Sequence, residues 1–151
     1  MRFRIDPMEQ AEAEEVATWR YPADYAFDNA DADADDLAEL LDGERRAQRY
    51  FTVRDEQASL VGFFQFKRPD MDTVEVGLGL RPDLTGRGLG ETLVRAGLAF
   101  ARRRYRPKQF RLAVAAFDRR AIPVYERCGL VEVRRYVHQT NGGEWPFEQP
   151  A

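Results

Sequence analysis

The chain has 151 residues, 44% apolar and 32% charged, the balance of a globular protein large enough to bury a core. A net charge of −3 gives no general electrostatic case for nucleic-acid binding. One cysteine, Cys128, excludes an internal disulfide, one histidine, His138, leaves no zinc set, and no apolar run is long enough for a signal peptide or a membrane span. These features lead us to expect a cytoplasmic, metal-free protein forming a single domain over residues 1–151.

Arg2 to Ile5 alternates as a short first strand and is stopped by Asp6-Pro7. Met8, Ala11, Val16 and Trp19 then recur at helical spacing, and Tyr21-Pro22 breaks that helix. A second, short helix covers Asp35 to Leu41, with an acidic start and Gly43 just past its end. Between Tyr21 and Glu44 lie nine carboxylates (Asp24, Asp28, Asp31, Asp33, Asp35, Asp36, Glu39, Asp42, Glu44) and no lysine or arginine. Arg49–Arg54 and Leu60–Lys67 read as an antiparallel pair around the turn Asp55 to Ala58, with Phe51, Phe63, Phe64 and Phe66 assigned to the core. Thr73 to Leu80 is the next strand, Arg81 to Gly90 a glycine-rich turn, and Glu91 to Arg104 a long helix. Leu89, Leu93, Gly97 and Phe100, with Val94, Leu98 and Ala101, make its apolar stripe. The basic tract Arg102 to Lys108 reads as a solvated helix end complementing its own dipole. Phe110, Leu112 and Val114 alternate as one strand, and Asp118 caps a helix through Tyr125 to Arg127. Val131, Val133 and Val137 mark a further strand, and Asn141-Gly142-Gly143 turns it into Trp145 to Glu148. The order β-α-α-β-β-β-α-β-α-β-β is that of an α/β domain with a mixed sheet.

Gly86, Gly88 and Gly90 stand where the long helix begins. A helix N-terminus offers unpaired N–H groups and about half a positive charge, so the turn reads as a phosphate cradle. It lacks the Gly-Lys-Ser/Thr of a P-loop, and its alternating glycines do not fit G-x-G-x-x-G. The alternative is a glycine-rich connection that binds nothing.

Thr85-Gly86-Arg87-Gly88-Leu89-Gly90 resembles the acyl-CoA motif Gln/Arg-x-x-Gly-x-Gly/Ala of the GNAT family of N-acetyltransferases. Asp118-Arg119-Arg120-Ala121-Ile122-Pro123-Val124-Tyr125, continuing to Gly129-Leu130, is similar to that family's second signature, Asn-x-x-Ala-x-x-x-Tyr-x-x-x-Gly-Phe. The two stand in the family's order, and the likeness is strongest over residues 58–140. Thr85 replaces the usual Gln or Arg, and Asp118 the usual Asn, which keeps an acceptor and loses a donor.

The resemblance implies a GNAT-like domain with a mixed, mostly antiparallel sheet splayed at its fourth and fifth strands and flanked by about four helices. It implies an N-acetyltransferase moving the acetyl group of acetyl-CoA to a primary amine in a ternary complex. By the same resemblance, Leu78 would present the N–H that polarises the thioester carbonyl, and Leu78 and Leu80 would line the pantetheine arm. Gly86, Arg87, Gly88, Gly90 and Glu91 would hold the pyrophosphate, with Asp118 nearby. Tyr125 would donate to the departing sulfur; its competing reading is a core aromatic.

Strand alternation sets Val74, Val76, Leu78 and Leu80 on one face and Glu75, Gly77 and Gly79 on the other. Two glycines beside a carboxylate mean that something comes close to the backbone there, a ligand or a tightly packed helix. Glu75 is the candidate base for the amine, directly or through water, or else a carboxylate paired with an arginine. In the family the connection between the first two helices forms much of the acceptor site, which here brings in Trp19, Tyr21, Tyr25, Phe27 and Asp28. Aromatic faces and a negative field favour a cationic amine, either polyamine-like or a peptide N-terminus. Monomer and homodimer both remain open, no metal, nucleic acid or membrane is expected, and the competing function is a CoA-binding or regulatory domain without catalysis. Cys128 and His138 have no activating neighbours in sequence and are given no role.

Overall fold

The computed structural model describes residues 2–20, 34–85, 87–112, 114–115, 127, 133–140 and 143–150. The elements are β1 (Arg4–Pro7), α1 (Gln10–Ala17), α2 (Ala34–Leu41), α3 (Gly43–Arg46), β2 (Tyr50–Arg54), β3 (Leu60–Asp70) and β4 (Thr73–Leu80). A 3₁₀ turn (Pro82–Leu84), α4 (Gly90–Tyr105), β5 (Gln109–Leu112), β6 (Val114–Ala115), β7 (Val133–Thr140) and β8 (Gly143–Pro150) follow. The first five strands form one sheet in chain order, antiparallel throughout except for the parallel pair β4–β5. That pair needs a crossover, which α4 supplies. A second, antiparallel sheet has the order β6-β8-β7.

α4 forms because its apolar residues repeat at helical spacing: Leu93, Val94, Gly97, Leu98 and Ala101 are all buried. They pack on Phe51, Phe64, Phe66, Val74, Val76 and Phe110 from one face of the sheet. Gly97 is where helix and sheet come closest; a Cβ there would collide with the ring of Phe64. The helix ends on Arg106 at φ +50, whose N–H bonds back to the carbonyl of Arg102. Arg102 lies over Phe110 and Arg104 over Phe51, so the basic tract covers aromatic edges as well as complementing the helix dipole.

The opposite face carries a second cluster of Met8, Ala13, Val16, Trp19, Leu40, Tyr50 and Leu60, with Phe63 packed against it. Three sequence expectations change here. Phe63 leaves the main core for this second face. α3 appears between α2 and β2 because Asp42 accepts the N–H groups of Glu44 (3.0 Å) and Arg45 (3.4 Å) and so starts another turn. The single strand expected over Phe110 to Val114 is split, since the chain leaves the first sheet at Leu112 and enters the second at Val114. Of the expected helix from Asp118 to Arg127, only Arg127 is among the described residues.

Candidate active site

The split has a consequence for β4. Its register with β3 runs unbroken from Lys67–Glu75 to Gly62–Leu80, and just beyond it the Arg81 N–H donates to the Val61 carbonyl at 2.8 Å. Antiparallel alternation then turns the N–H groups of Glu75, Gly77 and Gly79 toward β3, and those of Val76 and Leu78 away from it. β5 meets β4 only from Thr73–Gln109 to Val76–Leu112. Past Val76 the two strands part, and the Leu78 N–H faces an edge that no described strand covers. The side chains of Leu78 and Leu80 pack against the α4-side core and close that face of the gap.

At the end of β4 the chain enters the glycine turn under local control. The Arg81 guanidinium grips Asp83 with two hydrogen bonds (2.6 and 3.2 Å) and the Leu60 carbonyl with a third (2.9 Å). The Arg81 bond holds the Asp83 carboxyl below its usual range. Thr85 donates to the Pro82 carbonyl at 2.8 Å, so its side chain closes the 3₁₀ turn and contributes no charge. Gly88 has φ +76 and nothing within 4 Å of where a Cβ would stand, an open left-handed position beside the helix start. α4 begins at Gly90, and its N-cap Leu89 makes no side-chain bond. The first intrahelical donor is Leu93, bonded to the Leu89 carbonyl at 3.0 Å, leaving the N–H groups of Gly90, Glu91 and Thr92 for an outside acceptor.

Arg87 is exposed beside this turn. Glu91 is committed elsewhere: its carboxylate accepts from Arg127 Nε at 2.6 Å and lies 3.7 Å from Arg95 Nε, with Arg127 the main reason its pKa is lowered. Only its N–H is therefore left for a phosphate. Gly86 and Asp118, expected beside the pyrophosphate, lie outside the described residues.

On the other face of β4, side chains of β3 lie over the glycines. Gln65 lies over Gly77, and Phe63 lies so close over Gly79 that a Cβ there would strike its ring. Glu75 stands between Lys67 of β3 and Arg111 of β5, its partners in register, and no ion pair within 4 Å joins it to either. Arg111 Nε is buried without a hydrogen-bond partner among the described residues. A cavity of about 550 Å³ opens at the β3–β4 hairpin end, lined by Arg49, Lys67, Arg68 and Arg104 with Glu75 at one side. Its cationic lining is unsuited to a cationic amine.

Trp19 is 8% exposed and tilted against Phe63 at 6.2 Å, so it is part of the core and offers no free face to a substrate. Tyr21, Tyr25, Phe27 and Asp28, and the expected acid Tyr125, lie outside the described residues. Sequence reasoning passed over Gln65, Arg111, Glu39 and Tyr50. Gln65, polar between Phe64 and Phe66, was the available signal, because a polar residue alternating with core aromatics marks the second face of a strand.

The glycine turn thus joins the start of α4 to a strand whose neighbour parts from it past Val76. The model of the acetyltransferase (GNAT) family matches residues 11–130. The chain belongs to that family and is an N-acetyltransferase acting with acetyl-CoA. It is 27% identical over 119 residues to the spermidine N(1)-acetyltransferase of Vibrio cholerae, covering 76% of this chain and 69% of that one. Among solved structures it resembles the V. cholerae spermidine N-acetyltransferase in complex with CoA and spermine (TM-score 0.77, 21% identity, 97% of this chain and 92% of that one). It also resembles the V. cholerae SpeG enzyme in complex with manganese ions (TM-score 0.71, 21% identity, 97% and 89% coverage). At such identities the structural likenesses show the fold. No helix among the described residues is long and apolar enough to cross a membrane.

Proposed function

We propose that the acceptor is a small primary amine bearing further positive charge, of the polyamine type, and that β4 organises its acetylation. The observation that carries the reading is the Leu78 N–H, turned off β3 toward the gap where β5 leaves. A donor there would meet the thioester oxygen as charge builds on it, which in a dry site contributes ~3 kcal/mol. The free N–H groups at the start of α4, with Gly86, Arg87 and Gly88, would hold the pyrophosphate, and Leu80 would line the pantetheine arm. In the reaction the amine nitrogen bonds to the carbonyl carbon and the carbon–sulfur bond breaks. The nitrogen gives up a proton, toward Glu75 directly or through water, and the sulfur takes one, for which Tyr125 is the candidate donor. No metal enters this scheme. We place the chain in the cytoplasm as one domain, monomeric or homodimeric, without nucleic-acid or membrane partners.

Two things support a polyamine-type acceptor. The relatives act, by their names, on spermidine, and the segment before Glu44 is a run of acids without a base. The experiment is a thermal shift followed by a thiol-release assay. Acetyl-CoA should raise the melting temperature and ATP should not, and spermidine should release CoA thiol faster than an amine carrying a phosphate or carboxylate. Faster turnover of the anionic amine would refute the acceptor assignment.

A further inference from the structure

Gln65 is held in one orientation by partners that leave no choice. Its Nε2 donates to Glu39 Oε1 at 2.7 Å and to the Tyr50 hydroxyl at 3.0 Å. A carboxylate only accepts, so the amide nitrogen must face Glu39 and the amide oxygen must face the other way. Tyr50 donates its own proton to Glu39 Oε1 at 3.2 Å, which closes the triangle. Glu39 itself is 9% exposed, and its other oxygen, Oε2, lies 3.8 Å from Arg45 Nη2 and 3.9 Å from Arg49 Nη1. Both Nε2 hydrogens are thus spent within the protein, while no donor among the described residues bonds to Oε1.

That oxygen lies over β4. A Cβ added to Gly77 would come 3.2 Å from it. Gly77 directly follows Val76, the last residue of β4 paired with β5, and directly precedes Leu78, whose N–H faces the gap. Leu78 and Leu80 pack toward the α4-side core, and Gln65 sits on the opposite face of β4.

We propose that Gln65 Oε1 is a fixed hydrogen-bond acceptor for the attacking amine, and that Glu39 and Tyr50 are positioning residues acting through it. The inference rests on the functional reading above and deepens it. One N–H of the amine bonded to Oε1 would aim the nitrogen lone pair at the thioester carbonyl. The same bond strengthens as positive charge develops on nitrogen in the transition state. Among the described residues, the other charged groups on this face of the sheet are Glu75, Lys67 of β3 and Arg111 of β5, with Glu39 and its two arginines behind Gln65.

The test uses the full chain, acetyl-CoA, and two probe amines: spermidine and a short peptide with a free N-terminus. Gln65→Leu should lower kcat/KM for the better probe about 10- to 100-fold, while acetyl-CoA affinity by calorimetry stays within about twofold. The exchange Glu39→Gln with Gln65→Glu keeps the hydrogen-bonded triangle with Tyr50, loses the ion pairs to Arg45 and Arg49, and sets a carboxylate against the amine. It should lower KM for spermidine and move the rising limb of the kcat–pH profile upward, because the bound ammonium is held more tightly. A purely structural role would leave that limb in place. Unchanged acceptor kinetics in Gln65→Leu, or an unmoved limb in the exchange variant, overturns the proposal. Should the leucine variant not fold, the exchange variant decides alone. If the wild-type protein binds acetyl-CoA but acetylates neither probe, the acceptor reading falls, and this inference falls with it; activity on either probe with indifferent variants sinks only the role of Gln65.

Discussion

At the scale of single residues, Gly88, Gly97 and Glu91 each have a defined job. Gly88 at φ +76 stands beside uncapped helix N–H groups. Gly88→Val costs about 1–2 kcal/mol for the left-handed backbone, which a domain of ordinary stability survives, and it places a side chain where the phosphates would lie. The expected result is a folded protein without measurable acetyl-CoA binding by calorimetry. Gly97 touches Phe64, which is fully buried, so Gly97→Ala should cost about 1–3 kcal/mol in urea unfolding through overpacking. Glu91 stands beside the proposed phosphate site, and its bond to Arg127 would offset a carboxylate that otherwise repels the ligand. Its pKa in the folded chain lies below the ordinary 4.5. The stability this link adds is therefore complete above that value and is lost as pH falls through the lowered pKa. Acid titration of Glu91→Gln against the parent should show a difference at neutral pH that disappears in acid; a constant difference would mean that the bond to Arg127 is not its source.

β4 is the element on which the proposed chemistry converges. One edge supplies the ladder to β3, the other is half covered by β5 and half open, and its two faces differ completely. The α4 face is apolar and closed, while the other holds Glu75, Gly77 and Gly79 under the side chains of β3. Leu78→Pro separates these functions. The Leu78 N–H takes no part in the β3 ladder, so its loss spares the pairing and removes the proposed donor to the thioester oxygen. We expect kcat to fall about 100-fold or more with acetyl-CoA binding largely kept; equal turnover in a folded variant would assign the polarising role elsewhere. On the same strand, Glu75→Gln should flatten the basic dependence of rate on pH. Tyr125→Phe, by comparison, should lower kcat more than it weakens acetyl-CoA binding.

Over the whole molecule, net charge is small at −3 but unevenly spread. Of the nine carboxylates between Tyr21 and Glu44, Glu39 and Asp42 have structural posts, one holding Gln65 and Tyr50 and the other capping α3. The others form a negative region in sequence, while the cavity at the hairpin end is lined by Arg49, Lys67, Arg68 and Arg104. A cationic acceptor drawn by the acidic segment should show a KM that rises with salt, since exposed charges are screened over about 10 Å at 0.1 M. Asp24→Asn with Asp28→Asn should raise that KM and leave the one for acetyl-CoA unchanged. An acceptor KM indifferent to both salt and the substitutions would remove the acidic segment from the account of specificity.

The glycine turn and α4 were legible in the amino-acid sequence because their signals are local. Apolar spacing over one helix, and glycines where its N–H groups are unpaired, involve residues no more than a few positions apart. The same holds for the alternation of β4 and the hairpin register that closes at Thr140–Gly143. What tertiary structure decided was every feature set by a partner distant in the chain. Leu112 and Val114 alternate like one strand, yet they belong to two sheets, because strand pairing rather than side-chain pattern determines where β5 leaves β4. Trp19 reads in the sequence as part of the first helix's apolar spacing and of the acceptor site, and Phe63 as core; α1 and α2 settle over the second face of the sheet and pack the two rings together there. Gln65 stands out in the sequence only as a polar residue between two core aromatics, Phe64 and Phe66. Its orientation comes from Glu39, 26 positions away in sequence, and Tyr50, 15 positions away, which meet it only once α2 lies across β2 and β3.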